Sequence, residues 1–197
     1  MSQEKKSGVG SILIIALKLF IVCTIVAAIV AGVNALTKDR IAEAENAKRT
    51  QALDSVFAAG EETVSYVPVE TEYKGTVTGL YEAEDAEKNT LGYGVLCAPM
   101  GFKDTISMLV AFDTEGKILA VRIISLAETT GIGDKVKKDP SFVEQFEGKQ
   151  NAIVLGSDGV SAIAGSTISS KAVTKGVNDA ISQIKSYLAA APATEEA

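Results

Sequence analysis

The chain has 197 residues, a formal net charge of −6 at pH 7 and no histidine. Because its lysines and arginines are scattered rather than clustered, we expect no nucleic-acid partner, and without histidine it cannot assemble a Ser-His catalytic pair or an imidazole metal site. Its two cysteines, Cys23 and Cys97, are too few for a zinc knot or an iron–sulfur cluster, so electron transfer by this chain would need an organic cofactor.

A hydrophobic segment near the amino terminus predicts one transmembrane helix at residues 11–36. Within it, Leu19–Leu36 is apolar except for Thr24 and Asn34. About 18 residues of helix extend over about 27 Å, which is just enough to cross the hydrocarbon core of a bilayer. The alternative is a cleaved secretory signal. We favour a retained anchor, because the apolar run exceeds the usual core of such a signal and no pair of small residues marks a cleavage site.

Positive charges at the two ends of this helix predict its orientation. Lys5 and Lys6 precede it and Lys18 can reach the same side, whereas Lys38 and a nearby arginine follow it. Positively charged residues are retained on the cytoplasmic side of a membrane. The count therefore slightly favours a cytoplasmic location for residues 1–10 and an extracytoplasmic location for the folded domain.

A stalk helix is predicted after the anchor, at residues 37–60. Leu53 and Phe57 belong to a set of apolar residues that recur at near-helical spacing among charged residues. Gly60 fits a carboxyl-terminal cap, because glycine commonly follows the last turn of a helix. We therefore expect the stalk to lead directly into the folded domain.

The remaining chain predicts one α+β domain at residues 61–188, followed by a disordered tail at 189–197. Strand-like runs follow one another without intervening helices, which indicates a mainly antiparallel sheet, and the helices are grouped after them. The tail is small and acidic, as is typical of disordered segments. The predicted strands are 63–69, 76–82, 91–97, 106–112 and 117–125, with short strands at 153–155 and 161–163, and the predicted helices are 140–146 and 170–188.

Four hydroxyl residues surround a glycine directly ahead of the last predicted helix, in the segment Ala164–Lys171. The N-terminus of a helix offers free backbone amides and the positive end of the helix dipole, so this segment predicts a phosphate site. The alternative is an ordinary serine or threonine cap. Spacing alone favours the cap, because such caps are common.

A second segment, Glu128–Gly133, follows the last predicted strand of the sheet. Gly131 and the glycine two residues later make a tight turn and permit close backbone approach. This leaves Glu128 and the hydroxyls of Thr129 and Thr130 free to meet a polar heterocycle. The alternative is an ordinary strand-to-helix turn, since glycine-rich turns are common.

A third segment, Gly92–Phe102, contains the sequence Gly-Tyr-Gly. Its small residues would let a flat ring approach, with Met100 or Leu96 as an apolar wall. The alternative is a sheet edge with core side chains, and it holds for most of these residues. Cys97 is interpreted as a small core residue rather than a redox thiol, because nothing cationic adjoins it in the sequence.

All three segments resemble motifs of one family, the FMN-binding domain of the G subunit of Rnf complexes and of the C subunit of the sodium-pumping NADH:quinone oxidoreductase. Ala164–Lys171 resembles the flavin-attachment motif, which contains Ser-Gly-Ala-Thr. Glu128–Gly133 resembles a Glu-Thr-Pro-Gly-Leu-Gly loop, and Gly92–Phe102 resembles a Gly-Tyr-Gly segment that ends in Pro-Met-x-Gly. The first motif differs here by Ala164 for serine and Ser166 for alanine.

The resemblance implies that Thr167 carries FMN through a phosphoester formed by a flavin transferase, although Ser161 stands where the transferase motif usually has aspartate. Glu128, Thr129 and Thr130 would contact the flavin ring. No catalytic residue and no metal ligand is implied. The other implied cofactor-binding residues are Gly165, Ser166, Ser169 and Ser170 around the phosphate, Gly131 beside the ring and Met100 as an apolar wall.

The resemblance also implies a redox-carrier subunit rather than a stand-alone enzyme. It would relay electrons in a cell-membrane complex that exchanges electrons between reduced ferredoxin and NAD and couples this to sodium or proton transport. Its partners would be the other membrane and redox subunits, the flavin transferase and membrane lipid. The alternative is a membrane-anchored extracytoplasmic structural or ligand-binding module without a redox cofactor, which predicts a colourless protein. A pilin-like subunit is disfavoured, because the expected processing motif is missing.

Overall fold

The structure is a computed structural model, and it describes residues 5–58, 63–126 and 133–190. The chain divides into two compact units, Met1–Ala47 and Lys48–Ala197. The second unit contains the sheet, the C-terminal helix and the candidate site.

The first unit is formed by helix α1, which extends over Lys5–Phe57 and so also supplies the first residues of the second unit. Large apolar side chains from Ile12 to Leu36 are exposed along it. The helix is long and apolar enough to cross a membrane, and exposed apolar residues on every side are typical of a helix surrounded by lipid. The predicted long apolar helix near the amino terminus is confirmed.

The second unit is built on a five-stranded sheet whose strands lie side by side in chain order, each antiparallel to the next. The hairpin between the last two strands turns at Gly116, whose φ of +79° favours glycine. Asp113 Oδ1 accepts backbone hydrogen bonds across this turn. The predicted α+β class and antiparallel sheet are confirmed. The strands are β1 Ser65–Pro68, β2 Val77–Glu84, β3 Thr90–Cys97, β4 Ile106–Phe112 and β5 Ile118–Leu126.

Two short helices follow β5, namely α2, Lys135–Lys138, and α3, Pro140–Glu144. Asp139 caps α3, because its carboxylate accepts a hydrogen bond from a backbone amide two residues later at 3.1 Å. Phe142 and Phe146 are fully buried and pack edge to face with ring centroids 5.5 Å apart. The helix predicted here is confirmed, although it ends slightly earlier than expected.

One face of the sheet is covered by the long C-terminal helix α4, Thr167–Ala190. Val173 and Val177 belong to its fully buried stripe, which has the predicted helical spacing. Gly176 allows close contact with β4, since a Cβ there would lie 2.9 Å from Met108 Sδ. This packing fixes the first turns of α4 against the sheet.

The opposite face of the sheet is covered by the end of α1. Leu53 is 2% exposed and packs with Leu96. A Cβ on Gly94 would lie 2.5 Å from Leu53 Cδ2, and one on Gly92 would lie 2.9 Å from Phe57 Cε1. Gly94 therefore makes room for the helix, and Gly92 makes room for both the helix and the backbone of β4, since a Cβ there would lie closest to the Phe112 carbonyl oxygen. The expectation that a flat ring approaches them, with Leu96 as its wall, is wrong, and the alternative of core packing holds.

The two short strands predicted at 153–155 and 161–163 do not form. Side chains bind the backbone amides of this segment instead. The amide of Ile153 donates to Asn178 Oδ1 at 2.8 Å, and the amide that begins the second predicted strand donates to Gln145 Oε1 at 2.7 Å. A strand needs a neighbouring backbone as its partner, so side-chain partners leave the segment irregular.

The predicted domain boundaries fall partly outside the described residues. Helix α1 ends at Phe57, and the predicted cap Gly60 is not among the described residues. Helix α4 includes the first two residues of the predicted tail, and 191–197 lie outside the described residues. The boundary at residue 61 stays a prediction, whereas the second compact unit begins at Lys48.

Candidate functional site

Helix α4 begins at Thr167, and the turn before it leaves its first backbone amides open. Gly165 has a φ of +78°, a left-handed conformation that glycine adopts without strain. The Ser170 amide donates to the Ser166 carbonyl at 2.9 Å and closes the first helical turn. The amides of residues 167–169 have no partner within the helix. Together with the helix dipole, they favour an anion at this position.

The four hydroxyl residues of this turn differ sharply in exposure. Thr167 is exposed, whereas Ser166, Ser169 and Ser170 are 3%, 2% and 0% exposed. A buried hydroxyl cannot carry a bulky group without disrupting the packing around it. Thr167 is therefore the exposed hydroxyl residue of this cluster.

Ser170 lies inside the turn and holds it together. Its hydroxyl donates to the Ser166 carbonyl at 2.9 Å and accepts from the Ile163 amide at 3.1 Å. These two bonds fasten the preceding loop to the first turn of α4. The predicted contact of Ser170 with a phosphate stays a prediction, and it would compete with these bonds.

The Ser166 hydroxyl differs from that of Ser170, because its oxygen is buried without a hydrogen-bond partner. Among the described residues, it is the one buried side-chain oxygen or nitrogen in this state. A serine directly before a helix normally caps it by accepting a bond from an amide of the first turn. Ser166 makes no such bond, so the interpretation of the cluster as an ordinary helix cap does not hold for this residue.

A concave site of about 270 Å³ opens over this turn. Phe102 and Ile168 supply apolar walls and are 63% and 53% exposed. A concave site with exposed apolar walls and a few polar groups is typical of ligand binding. The lining residues are Phe102, Gly165, Ser166, Thr167, Ile168 and Ser169.

A lysine that the sequence analysis missed lies beside the same turn. Lys135 Nζ donates to the Ala164 carbonyl at 3.2 Å, and a Cβ on Gly165 would lie 3.7 Å from that nitrogen. A positive charge next to the start of α4 adds to the helix dipole in favouring an anion. No local pattern indicates this role, because Lys135 is one of three lysines in α2 and the loop it contacts is distant in the chain. Phe102 was also missed as a site residue, although it ends the third motif.

One predicted site residue does not line this cavity, and four others lie outside the described residues. Met100 is 68% exposed, pairs with Thr105 in an isolated bridge and is not among the lining residues. Glu128, Thr129, Thr130 and Gly131 lie outside the described residues. Their contacts with a ring stay predictions.

The chain's cysteines take no part in the cavity. Cys97 is 1% exposed, and its thiol donates to the Gly176 carbonyl at 3.4 Å. Burial, with a smaller contribution from the charge of Asp179, raises the pKa of Cys97 to about 12, so the thiol stays protonated at neutral pH. Cys23 is exposed on α1. The described residues contain no cluster of cysteine, aspartate and glutamate suited to a metal ion.

Comparisons with known proteins show the family to which the chain belongs. Residues 101–182 match the FMN-binding domain family, and residues 1–56 match the RnfG N-terminal region. Over 175 residues the chain is 30% identical to the G subunit of the ion-translocating oxidoreductase complex of Stutzerimonas stutzeri, covering 82% of this chain and 76% of that protein. The chain belongs to the RnfG family. The FMN-binding match includes Phe102, Lys135 and Thr167.

Two further relatives and one solved structure are similar to the chain. The G subunit of the proton-translocating ferredoxin:NAD(+) oxidoreductase complex of Clostridium ljungdahlii is 37% identical over 113 residues, which cover 54% of this chain and 60% of that protein. The G subunit of the Na(+)-translocating complex of Acetobacterium woodii is 28% identical over 185 residues, covering 85% of this chain and 88% of that protein. Among solved structures, Shewanella oneidensis NqrC is similar at a TM-score of 0.46 and 17% identity, covering 67% of this chain and 87% of that one.

Proposed function

We propose that this chain carries electrons in a membrane-bound, ion-translocating ferredoxin:NAD oxidoreductase complex through FMN esterified to Thr167. The exposed Thr167 hydroxyl at the start of α4 carries the proposal, because the three neighbouring hydroxyls are buried. The family supplies an FMN-binding domain, and the Clostridium and Acetobacterium relatives are named as subunits of complexes of this kind.

The residues around Thr167 fit a flavin phosphate. The open amides of α4 and the ammonium group of Lys135 would balance the negative charge of the phosphate. The buried Ser166 hydroxyl lacks a partner, and Phe102 and Ile168 offer apolar surface to a ring system.

Thr167 acts as a tether rather than a catalytic base. The ester joins Thr167 Oγ1 to the phosphorus of FMN, and one molecule of water is lost in the overall balance. Bound FMN supplies a centre that takes up one or two electrons. The protein would set the reduction potential through burial and hydrogen bonds around the ring.

The remaining cofactor contacts are proposed for residues around the cavity. Glu128, Thr129 and Thr130 would bind the polar edge of the ring, and Gly131 would allow the backbone to approach it. Gly165 gives the turn its left-handed geometry. Ser169 lines the cavity beside Thr167, and Ser170 supports the turn. Met100 would close the ring site as an apolar wall.

The proposed cellular setting is a single-pass membrane protein. Residues 1–10 would be cytoplasmic, 11–36 would cross the membrane, 37–60 would form the stalk, and the FMN-binding domain at 61–188 would be extracytoplasmic. The tail at 189–197 would be disordered. The proposed partners are the other membrane and redox subunits, the flavin transferase that attaches FMN, and membrane lipid.

Flavin fluorescence after denaturing electrophoresis tests the attachment residue. The full chain is produced together with a flavin transferase, as wild type, as Thr167→Val, and as Ser182→Ala, which removes a hydroxyl further along α4. We expect fluorescence on the wild-type and Ser182→Ala polypeptides and none on Thr167→Val. Fluorescence that persists in Thr167→Val contradicts the proposed tether, and a wild-type protein without covalent flavin supports the colourless alternative.

A further inference from the structure

The Ser166 hydroxyl is the starting point, because a buried group without a partner is unusual. Its oxygen is fully buried, and no described residue bonds to it. Leaving a buried hydroxyl unpaired is costly, because it loses its bonds to water and gains none in return, and native proteins contain few such groups. An unpaired buried hydroxyl therefore indicates a hydrogen-bond partner that binds the protein after it has folded.

The surroundings of Ser166 restrict what that partner is. Ser166 lies between Gly165, which makes the left-handed turn, and Thr167, which begins α4. Lys135 Nζ donates to the carbonyl of Ala164, and the first amides of α4, which have no partner within the helix, follow Ser166 in the chain. The Lys135 ammonium group and the first backbone amides of α4 are donors, and the ammonium group and the helix dipole are positive, so this position favours an anionic acceptor for the Ser166 hydroxyl.

The position of this hydroxyl departs from the motif that the segment resembles. The motif it resembles has serine before the central glycine and alanine after it, whereas this chain has Ala164 before Gly165 and Ser166 after it. In this chain, one hydroxyl therefore follows the glycine instead of preceding it. Ala164 is exposed and Ser166 is buried, so the hydroxyl of this chain lies inside the turn.

We propose that Ser166 Oγ donates a hydrogen bond to a phosphate oxygen of the FMN carried by Thr167, so that flavin attachment satisfies a donor that is unpaired in the unmodified protein. The inference rests on the proposed function, because its acceptor arrives with the phosphate. Ser166 is then a positioning residue that orients the phosphate and is not itself esterified.

This arrangement predicts that Ser166→Ala changes the thermal stability of the unmodified and the flavinylated protein in opposite directions. In the unmodified protein, Ser166→Ala removes an unpaired buried hydroxyl, so we expect the thermal midpoint to rise by about 2–4 °C. In the flavinylated protein, the same substitution removes a hydrogen bond to a charged acceptor, so we expect the midpoint to fall by about 2–4 °C.

The experiment measures thermal unfolding of the full chain in one detergent, produced with and without a flavin transferase, and intact mass verifies each state. Thr174→Val is the matched control. Its buried hydroxyl donates to the Ser170 carbonyl at 2.9 Å one turn further along α4, so removal of this bond should lower the midpoint similarly in both states.

Opposite shifts for Ser166→Ala support the inference. Shifts of the same sign and size in the two states overturn the inference, because the Ser166 hydroxyl then makes no hydrogen bond to the phosphate. Wild-type protein that acquires no flavin overturns the proposed function and the inference together. Intact mass distinguishes that outcome from a flavinylated protein in which only the role of Ser166 fails.

Discussion

Leu53 of α1 packs directly on Gly94 of β3, where a Cβ would lie only 2.5 Å from Leu53 Cδ2. One turn later, Phe57 packs on Gly92 in the same way. Arg49 Nη1 donates to the Tyr81 hydroxyl at 2.8 Å and adds a polar contact to this interface. The last turns of α1 therefore belong to the core of the second unit.

A double-mutant cycle tests this packing. Gly94→Ala should destabilise the second unit by about 1–3 kcal/mol through overpacking, and Leu53→Ala by about 2–5 kcal/mol through loss of a buried side chain. Because each substitution relieves part of the strain or cavity created by the other, the double variant should lose less than the sum. Unfolding of the full chain measures all four proteins, and additive losses would show that the two residues do not contact.

The hydrogen bonds of one carboxylate on α4 indicate that the stability of the fold decreases in acid. Asp179 Oδ2 accepts hydrogen bonds from the Thr76 amide and hydroxyl, both at 2.8 Å, and from Lys175 Nζ at 2.7 Å. Burial raises the pKa of Asp179, but the bonds from Lys175 and Thr76 outweigh it and hold the pKa below its usual value of 3.8. The pKa of Asp179 is therefore lower in the folded state than in the unfolded chain. These hydrogen bonds stabilise the fold above pH 3.8, and this stabilisation is lost as the pH falls through the lowered pKa of the folded state.

Asp179→Asn should therefore lower stability by about 1–2 kcal/mol at pH 7 and reduce the loss of stability below about pH 4. Thermal unfolding at a series of pH values measures both effects. Glu147→Gln removes the same charge from an exposed position and serves as the control. An Asp179→Asn protein with the wild-type acid profile would contradict the assigned bonds.

The proposed ring contacts of the loop at 128–133 predict a spectroscopic effect. Gly131→Val should disturb the flavin absorption spectrum even when Thr167 is esterified, because a side chain there would collide with the ring. Thr129→Val should shift the redox midpoint modestly, since one hydrogen bond contributes about 0.5–1.5 kcal/mol. If both variants fold, carry flavin and match the wild type in spectrum and midpoint, the loop does not belong to the flavin site.

The proposed orientation predicts which side of the membrane is open to protease. In spheroplasts, protease added outside should digest the folded domain, because the domain is proposed to be extracytoplasmic. Immunoblotting with an antibody to the C-terminal helix measures the loss. Digestion that occurs only when inverted vesicles expose the cytoplasmic face would reverse the topology.

The sheet and α4 were predictable because their signals are local. Alternating and continuous apolar runs joined by short polar turns indicate a meander, and the apolar stripe with Val173 and Val177 indicates an amphipathic helix. The prediction of the two short strands was wrong because the Ile153 amide binds the side chain of Asn178 at 2.8 Å, and Asn178 lies far away in the sequence. Local patterns contain no information about such a partner.

The site was predictable only in part, for a related reason. The hydroxyl cluster and its helix were evident, but the difference between exposed Thr167 and buried Ser166 depends on how the turn packs. For Gly94, the sequence left both the approach of a flat ring and core packing open, because a glycine in a strand shows only that something approaches closely. Its partner, Leu53, comes from a different part of the chain.

The mass of the protein isolated from its native membrane tests the central claim most directly. The proposed ester predicts an intact mass higher than that of the polypeptide by the mass of FMN less one water. After digestion, the increment should lie on the peptide that contains Thr167, with fragmentation assigning it to that residue. An unmodified polypeptide, or an increment on Ser166 or Ser169, would contradict the assignment of Thr167 as the flavin tether.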